Sequence, residues 1–155
     1  MRKLRWSAAW LALLAIVAAA ISSSQPVRAE GPTAATGQPV EKSMHEFMEY
    51  LFQPTYKRLK PAMAAAPADN AGWKAIKADS LILAEGGNLL LMHTPKEDGA
   101  AWDEMSGAVR ESGAALYQAA RKKDYPTARQ HYETMLKKCN ACHDKFADGE
   151  HQLAP

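Results

Sequence analysis

The segment Cys139-Asn140-Ala141-Cys142-His143 contains the only two cysteines of the 155-residue chain. On a helix, positions i, i+3 and i+4 lie on one face. The side chains of Cys139, Cys142 and His143 are therefore expected to face the same ligand. The segment lies near the C-terminal end of a long amphipathic pattern. It therefore predicts a last helix that presents two thiols and an imidazole on one side.

Cys-x-x-Cys-His is the attachment signature of c-type haem, in which both thiols become thioethers on the porphyrin and the imidazole binds the iron. The sequence therefore predicts one covalent haem c, attached through Cys139 and Cys142, with His143 as the proximal iron ligand.

Three other interpretations of the segment are weaker. A redox Cys-x-x-Cys pair is typical of a βαβ pattern, and no strand pattern precedes this one. A structural zinc ion needs four ligands, and no second cysteine pair supplies them. A disulfide within the helix remains an alternative, but it leaves His143 without a role.

Residues 1–29 have the composition of a secretory signal peptide. The first five residues include three basic ones, residues 8–21 are apolar, and Val27-Arg28-Ala29 resembles a cleavage site. The apolar run is shorter than the roughly 20 residues that a membrane-spanning helix needs, so a retained anchor is the less favoured alternative. We therefore expect a periplasmic protein with no membrane association after cleavage.

Cleavage changes the charge of the chain. The full sequence has 19 basic and 17 acidic residues, and the signal peptide contains four basic and no acidic ones. The 126 residues that remain carry a formal charge of −2 and suffice for one domain. A slightly acidic chain argues against nucleic acid as a partner. Residues 30–39, rich in Gly, Pro, Thr and Ala, are typical of a flexible leader.

Residues 40–148 contain four amphipathic helix patterns and no strand pattern. Helix one is predicted to begin near Val40, to kink or break near Pro54, and to end between residues 60 and 66. Helices two and three are predicted at about 71–92 and 101–123, and helix four from an Asp124 N-cap to about 147. The predicted fold is all-α, an up-down-up-down four-helix bundle with haem near the end of the last helix and a tail at 149–155.

The apolar positions within these helices predict the core. Leu81, Ile82 and Leu89 spread apolar surface beyond the inner face of helix two, which favours either a homodimer interface or packing beneath helix one. The predicted inward-facing residues include Val40, Met44, Phe47, Met48, Leu51, Trp73, Ile76, Leu83, Leu90, Leu91, Trp102, Met105, Val109, Leu116, Ala120, Ala128, Tyr132, Met135, Leu136 and Phe146.

Over about residues 40–146 the pattern resembles the class II cytochromes c, the group that includes cytochrome c′. The resemblance rests on the C-x-x-C-H-x-x-F run from Cys139 to Phe146, near the end of a fourth helix in a chain of this length. Ala147 stands where members of that group often carry a basic residue, and the prolines of helix one and the tail also differ.

The resemblance implies a periplasmic haem protein that transfers single electrons to redox partner proteins. The alternatives are a five-coordinate protein that binds nitric oxide or carbon monoxide, and a haem-bearing subunit of a larger periplasmic complex. Dimers are common in the resembled group. No pairing of nucleophile and base and no acidic dyad stands out, so we do not expect an enzyme.

The distal iron ligand is expected from the first turns of helix one, because helices one and four run antiparallel in such a bundle. Met44 and Met48 share the inner face there but differ by about 6 Å in height, so only one can bind. His45 lies on the flank. Low-spin members of the resembled group use a first-helix methionine one turn after a basic residue, and Met48 occupies that methionine position. We therefore hypothesise Met48 as the ligand, with Met44, His45 or an open site as alternatives.

Overall fold

The structure, a computed structural model, describes residues 37–155, and these form an all-α domain of four sequentially packed helices. The predicted signal peptide at 1–29 and most of the predicted leader lie outside this range. Helix α1 consists of the consecutive segments Met44–Phe47, Met48–Phe52 and Gln53–Ala62, α2 is Asn70–Leu90, α3 is Gly99–Lys122 and α4 is Tyr125–Phe146. The predicted four-helix architecture is confirmed.

Side-chain caps fix the starts of three helices. Ser43 accepts a hydrogen bond from the N–H of Glu46, Asp69 from that of Gly72, and Asp124 from that of Thr127. Such caps satisfy N–H groups that have no partner within the helix and contribute about 1 kcal/mol each. The N-cap predicted at Asp124 is thus confirmed.

Helix α1 ends at Ala62, within the predicted range, but it differs from the sequence-based expectation at its start and at Pro54. It begins at Met44 rather than near Val40, which is fully exposed. It also continues through Pro54, the second residue of Gln53–Ala62, without the predicted break. The preceding segment, Met48–Phe52, is π-helical, and the N–H of Gln53 bonds to the carbonyl of Met48. In an α-helix the ring of Pro54 would clash with the carbonyl four residues earlier, that of Tyr50, which here belongs to the wider π-helical turn.

Most of the predicted core is buried. Among the predicted residues, the buried ones are Trp73, Ile76, Leu83, Leu90, Trp102, Val109, Leu116, Ala120, Ala128, Tyr132, Met135 and Leu136. Leu91 is exposed, contrary to the prediction, because α2 ends at Leu90 and a 3-10 turn follows over Leu91–His93. Leu81, Ile82 and Leu89 are also exposed, so the alternative that they pack beneath α1 is wrong.

Close helix packing follows the chain order: α1 against α2, α2 against α3, and α3 against α4. Glycine makes the second of these interfaces tight. A Cβ atom at Gly87 would lie 2.7 Å from the backbone nitrogen of Arg110, and one at Gly113 would lie 2.9 Å from that of Ala84. The missing side chains at Gly87 and Gly113 therefore let the backbones of α2 and α3 approach each other closely.

Helices α1 and α4 make few close backbone contacts but are joined at one end. The carbonyl of Met63, which follows α1, accepts hydrogen bonds from the Tyr125 hydroxyl at 2.8 Å and from the Arg129 guanidinium at 2.7 Å. The end of α1 is therefore level with the start of α4, and the two helices are antiparallel.

Across residues 37–155, no helix is long and apolar enough to cross a membrane.

We predict that Gly87→Ala lowers the free energy of unfolding by about 1–3 kcal/mol, because the added methyl forces α2 and α3 apart. Gly107→Ala is the matched control, since a Cβ atom at Gly107 in α3 would have no neighbour within 4 Å. It should raise stability by about 0.5–1 kcal/mol through helix propensity alone. Urea unfolding followed by circular dichroism measures both changes. Equal stabilisation by the two substitutions would contradict the close approach.

Candidate functional site

A pocket of about 540 Å³ lies between the first turns of α1 and the last turns of α4. Its size is within the range of about 300–1,000 Å³ that ligand sites occupy. Apolar and aromatic side chains supply most of its lining, including Phe52, Leu83, Trp102, Met135 and Phe146. The pocket also brings together all the residues that the sequence singled out for haem attachment and iron ligation, namely Met44, His45, Met48, Cys139, Cys142 and His143.

Helix α4 supplies the two thiols and the imidazole, as its i, i+3, i+4 spacing predicts. Cys139 and Cys142 are both free thiols, so the alternative of a disulfide within the helix is not seen. Burial raises the pKa of Cys139 to about 12, and the neighbouring Cys142 adds to this effect. Burial also raises the pKa of Cys142. Both side chains are therefore protonated, uncharged thiols at neutral pH.

His143 is half-buried and hydrogen-bonded on one side of its ring. Burial lowers the pKa of His143, and its hydrogen bond with His151 partly opposes the shift, so the ring is neutral at neutral pH. Its Nδ1 lies 3.0 Å from the carbonyl oxygen of His151. Since a carbonyl can only accept, Nδ1 carries the proton, and the lone pair of Nε2 is available as a metal ligand.

The first-helix candidates differ in their surroundings. Met44 and Met48 are half-buried and carry soft thioether sulfur atoms, whereas His45 is exposed. The Nε2 atom of His45 lies 3.3 Å from the Glu49 carboxylate at the surface of the same helix. Met48 is also the first residue of the π-helical segment, and such segments often occur at functional sites. The surroundings favour the methionines over His45.

Aromatic side chains complete the inner wall, and sequence reasoning did not assign them this role. A Cβ atom at Gly86 would lie 2.7 Å from Cζ of Phe52, so Gly86 leaves room for that ring. Trp102 packs edge-to-face on Phe146 with the ring centroids 5.1 Å apart, and its indole N–H donates to the carbonyl of Leu90 at 2.8 Å. For Phe52, the sequence contains a signal that could have identified it. Phe52 lies four residues after Met48, and residues with this spacing share one face of a helix.

The C-terminal tail is also part of the site. His151, Gln152 and Leu153 line the pocket, and Leu153 packs against the hydrophobic core. The sequence offered no signal for this contact, because the tail has neither helical periodicity nor a recognisable motif.

Comparison with known proteins found no matching family model and no similar curated protein. The resemblance to class II cytochromes c therefore remains an inference from the Cys139–Phe146 run and the helical pattern.

Proposed function

We propose that this protein is an exported c-type cytochrome that carries single electrons in the periplasm. One haem c would be attached to Cys139 and Cys142, with His143 as the proximal ligand. The supporting observation is the apolar pocket in which these three side chains and the first-helix methionines meet. Two free cysteines are what thioether formation with the porphyrin vinyl groups requires, and a neutral imidazole with a free Nε2 suits iron.

The residues of the pocket have separate tasks in this function. When bound, haem supplies a one-electron iron couple whose potential depends on its ligands and surroundings. Phe52, Leu83, Trp102 and Phe146 would exclude water and lower the local dielectric, which disfavours the more highly charged oxidised form. The thioether of Met48, as the distal ligand, would raise the potential further.

We favour electron transfer over gas binding because thioether sulfur is present on the α1 side of the pocket. Met48 is half-buried there, so it is held near the cofactor rather than free in solvent. If Met48 were only a packing residue, the iron would keep an open position, and the protein would bind nitric oxide or carbon monoxide instead. The state of the sixth position therefore decides between the two functions.

A homodimer forms part of the proposal. Leu81, Ile82 and Leu89 expose apolar surface on α2, and a second copy of the chain would cover it. The same surface could instead receive the neighbouring subunit of a larger periplasmic complex, in which case this chain would be its haem-bearing component.

We predict a dimer mass by light scattering at micromolar concentration and a monomer mass for the Leu81→Glu variant. A monomer mass for the unsubstituted protein would contradict the dimer.

We predict that the protein carries one covalent haem when it is made in a host with haem-attachment machinery. Acid-acetone extraction should leave the red colour with the protein, because thioether bonds survive the solvent. The double variant Cys139→Ala/Cys142→Ala should release any pigment into the acetone. Loss of colour from the unsubstituted protein would contradict the covalent assignment.

We also predict that Met48 binds the iron. The ferric protein should be low-spin and show the weak far-red absorption band produced by a thioether bond to iron. This band should vanish in Met48→Ala and persist in Met44→Ala, the matched control one turn away. A high-spin ferric spectrum of the unsubstituted protein would overturn the assignment and support gas binding.

A further inference from the structure

The chain turns back immediately after α4. The N–H groups of Ala147 and Gly149 both donate to the carbonyl of His143, at 2.9 and 3.1 Å. Asp148 and His151 have φ values of 51° and 59°, in the left-handed region. Each such residue costs on the order of 1 kcal/mol and persists only where its surroundings hold it. The reversal therefore needs contacts that stabilise it.

Side chains of α4 and α1 provide those contacts. The Asn140 amide donates to the carbonyl of Leu153 at 3.0 Å, and its oxygen accepts from the N–H of Leu153 at 2.8 Å. From α1, the Tyr56 hydroxyl donates to the carbonyl of Ala154 at 2.7 Å and lies 3.2 Å from the N–H of Ala154. The tail is thus fastened to both helices that flank the pocket.

This fastening fixes the position of the His151 carbonyl, which lies two residues before Leu153 and accepts a hydrogen bond from Nδ1–H of His143. Asn140 occupies a variable position of the Cys-x-x-Cys-His motif, between the two cysteines. The side chain that holds the tail is therefore on the same helical turn as the groups that would hold the cofactor. Its paired hydrogen bonds set which backbone carbonyl reaches the imidazole.

We propose that residues 148–154 are a positioning element of the haem site, held by Asn140 and Tyr56 so that the His151 carbonyl orients the His143 ring. This inference rests on the proposed haem function and goes beyond it. A hydrogen bond from Nδ1–H to a carbonyl fixes the ring and makes Nε2 a stronger electron donor. Stronger donation stabilises the oxidised iron, so the tail lowers the midpoint potential of the protein.

The test compares full-length holoproteins. Tyr56→Phe is the decisive variant, because it keeps an aromatic ring in the pocket wall and leaves the attachment motif unchanged while removing the bonds to Ala154. Asn140→Leu removes the pairing with Leu153 at similar side-chain size. Gln118→Leu is the matched control, since it replaces an exposed amide on α3 without altering the charge or the tail.

Two quantities are measured: the midpoint potential and the hydrogen exchange of the Leu153 and Ala154 amides. We expect both tail variants to exchange these amides at least about tenfold faster and to have a more positive midpoint potential than the unsubstituted protein. Gln118→Leu should change neither. The potential is the decisive readout, because a tail that only added stability would change the exchange rate alone.

Faster exchange with an unchanged potential in both variants would overturn the positioning role. Unchanged exchange would show that Asn140 and Tyr56 do not hold the tail, and it would also overturn the proposal. Failure of the underlying function is recognised separately, because the unsubstituted protein would then contain no covalent haem. If Asn140→Leu fails to acquire haem, Tyr56→Phe still gives the answer.

Discussion

The carbonyl of Met63 is the point on which the arrangement of the site depends. It follows the end of α1, and two donors from α4, Tyr125 and Arg129, converge on it. These bonds join α1 and α4, two helices that are not consecutive in the chain. Since close packing elsewhere follows the chain order, α1 and α4 are held together at this end and leave room for a pocket at the other. Met63 itself is fully buried, which protects these bonds from water.

The two thiols, the His143 imidazole and the two methionine side chains that meet in the pocket are uncharged. Burial raises the pKa values of Cys139 and Cys142 and lowers that of His143, and the methionine sulfur atoms carry no proton at all. Moving charged groups into apolar surroundings is costly, so a neutral donor set is what an apolar cavity can hold. Thiol, thioether and neutral imidazole are also the groups through which proteins hold haem. The apolar pocket and its donor set therefore support the same assignment.

Local signals predicted most of the fold. Apolar periodicity and the Asp124 cap depend on neighbours within a turn or two, so the four helices and most of the core could be predicted from sequence. The helix start near Val40, the burial of Leu91 and the break at Pro54 were predicted wrongly, because small differences in backbone geometry determine where a helix ends or becomes π-helical. The tail could not be predicted, because its bonds join Asn140 to Leu153 and Tyr56 to Ala154, the latter pair 98 positions apart. The grouping of the thiols, His143 and the methionines in one pocket followed from helix order, but the aromatic wall needed the three-dimensional packing.

We propose that Cys139 and Cys142 bind one haem in this pocket. Tandem mass spectrometry of proteolytic peptides from the exported protein tests it most directly. We expect the peptide containing residues 139–143 to carry the mass of one haem, with both cysteines modified, and no other peptide to carry any. A peptide from the same protein with two unmodified thiols, or with a disulfide between them, would contradict it.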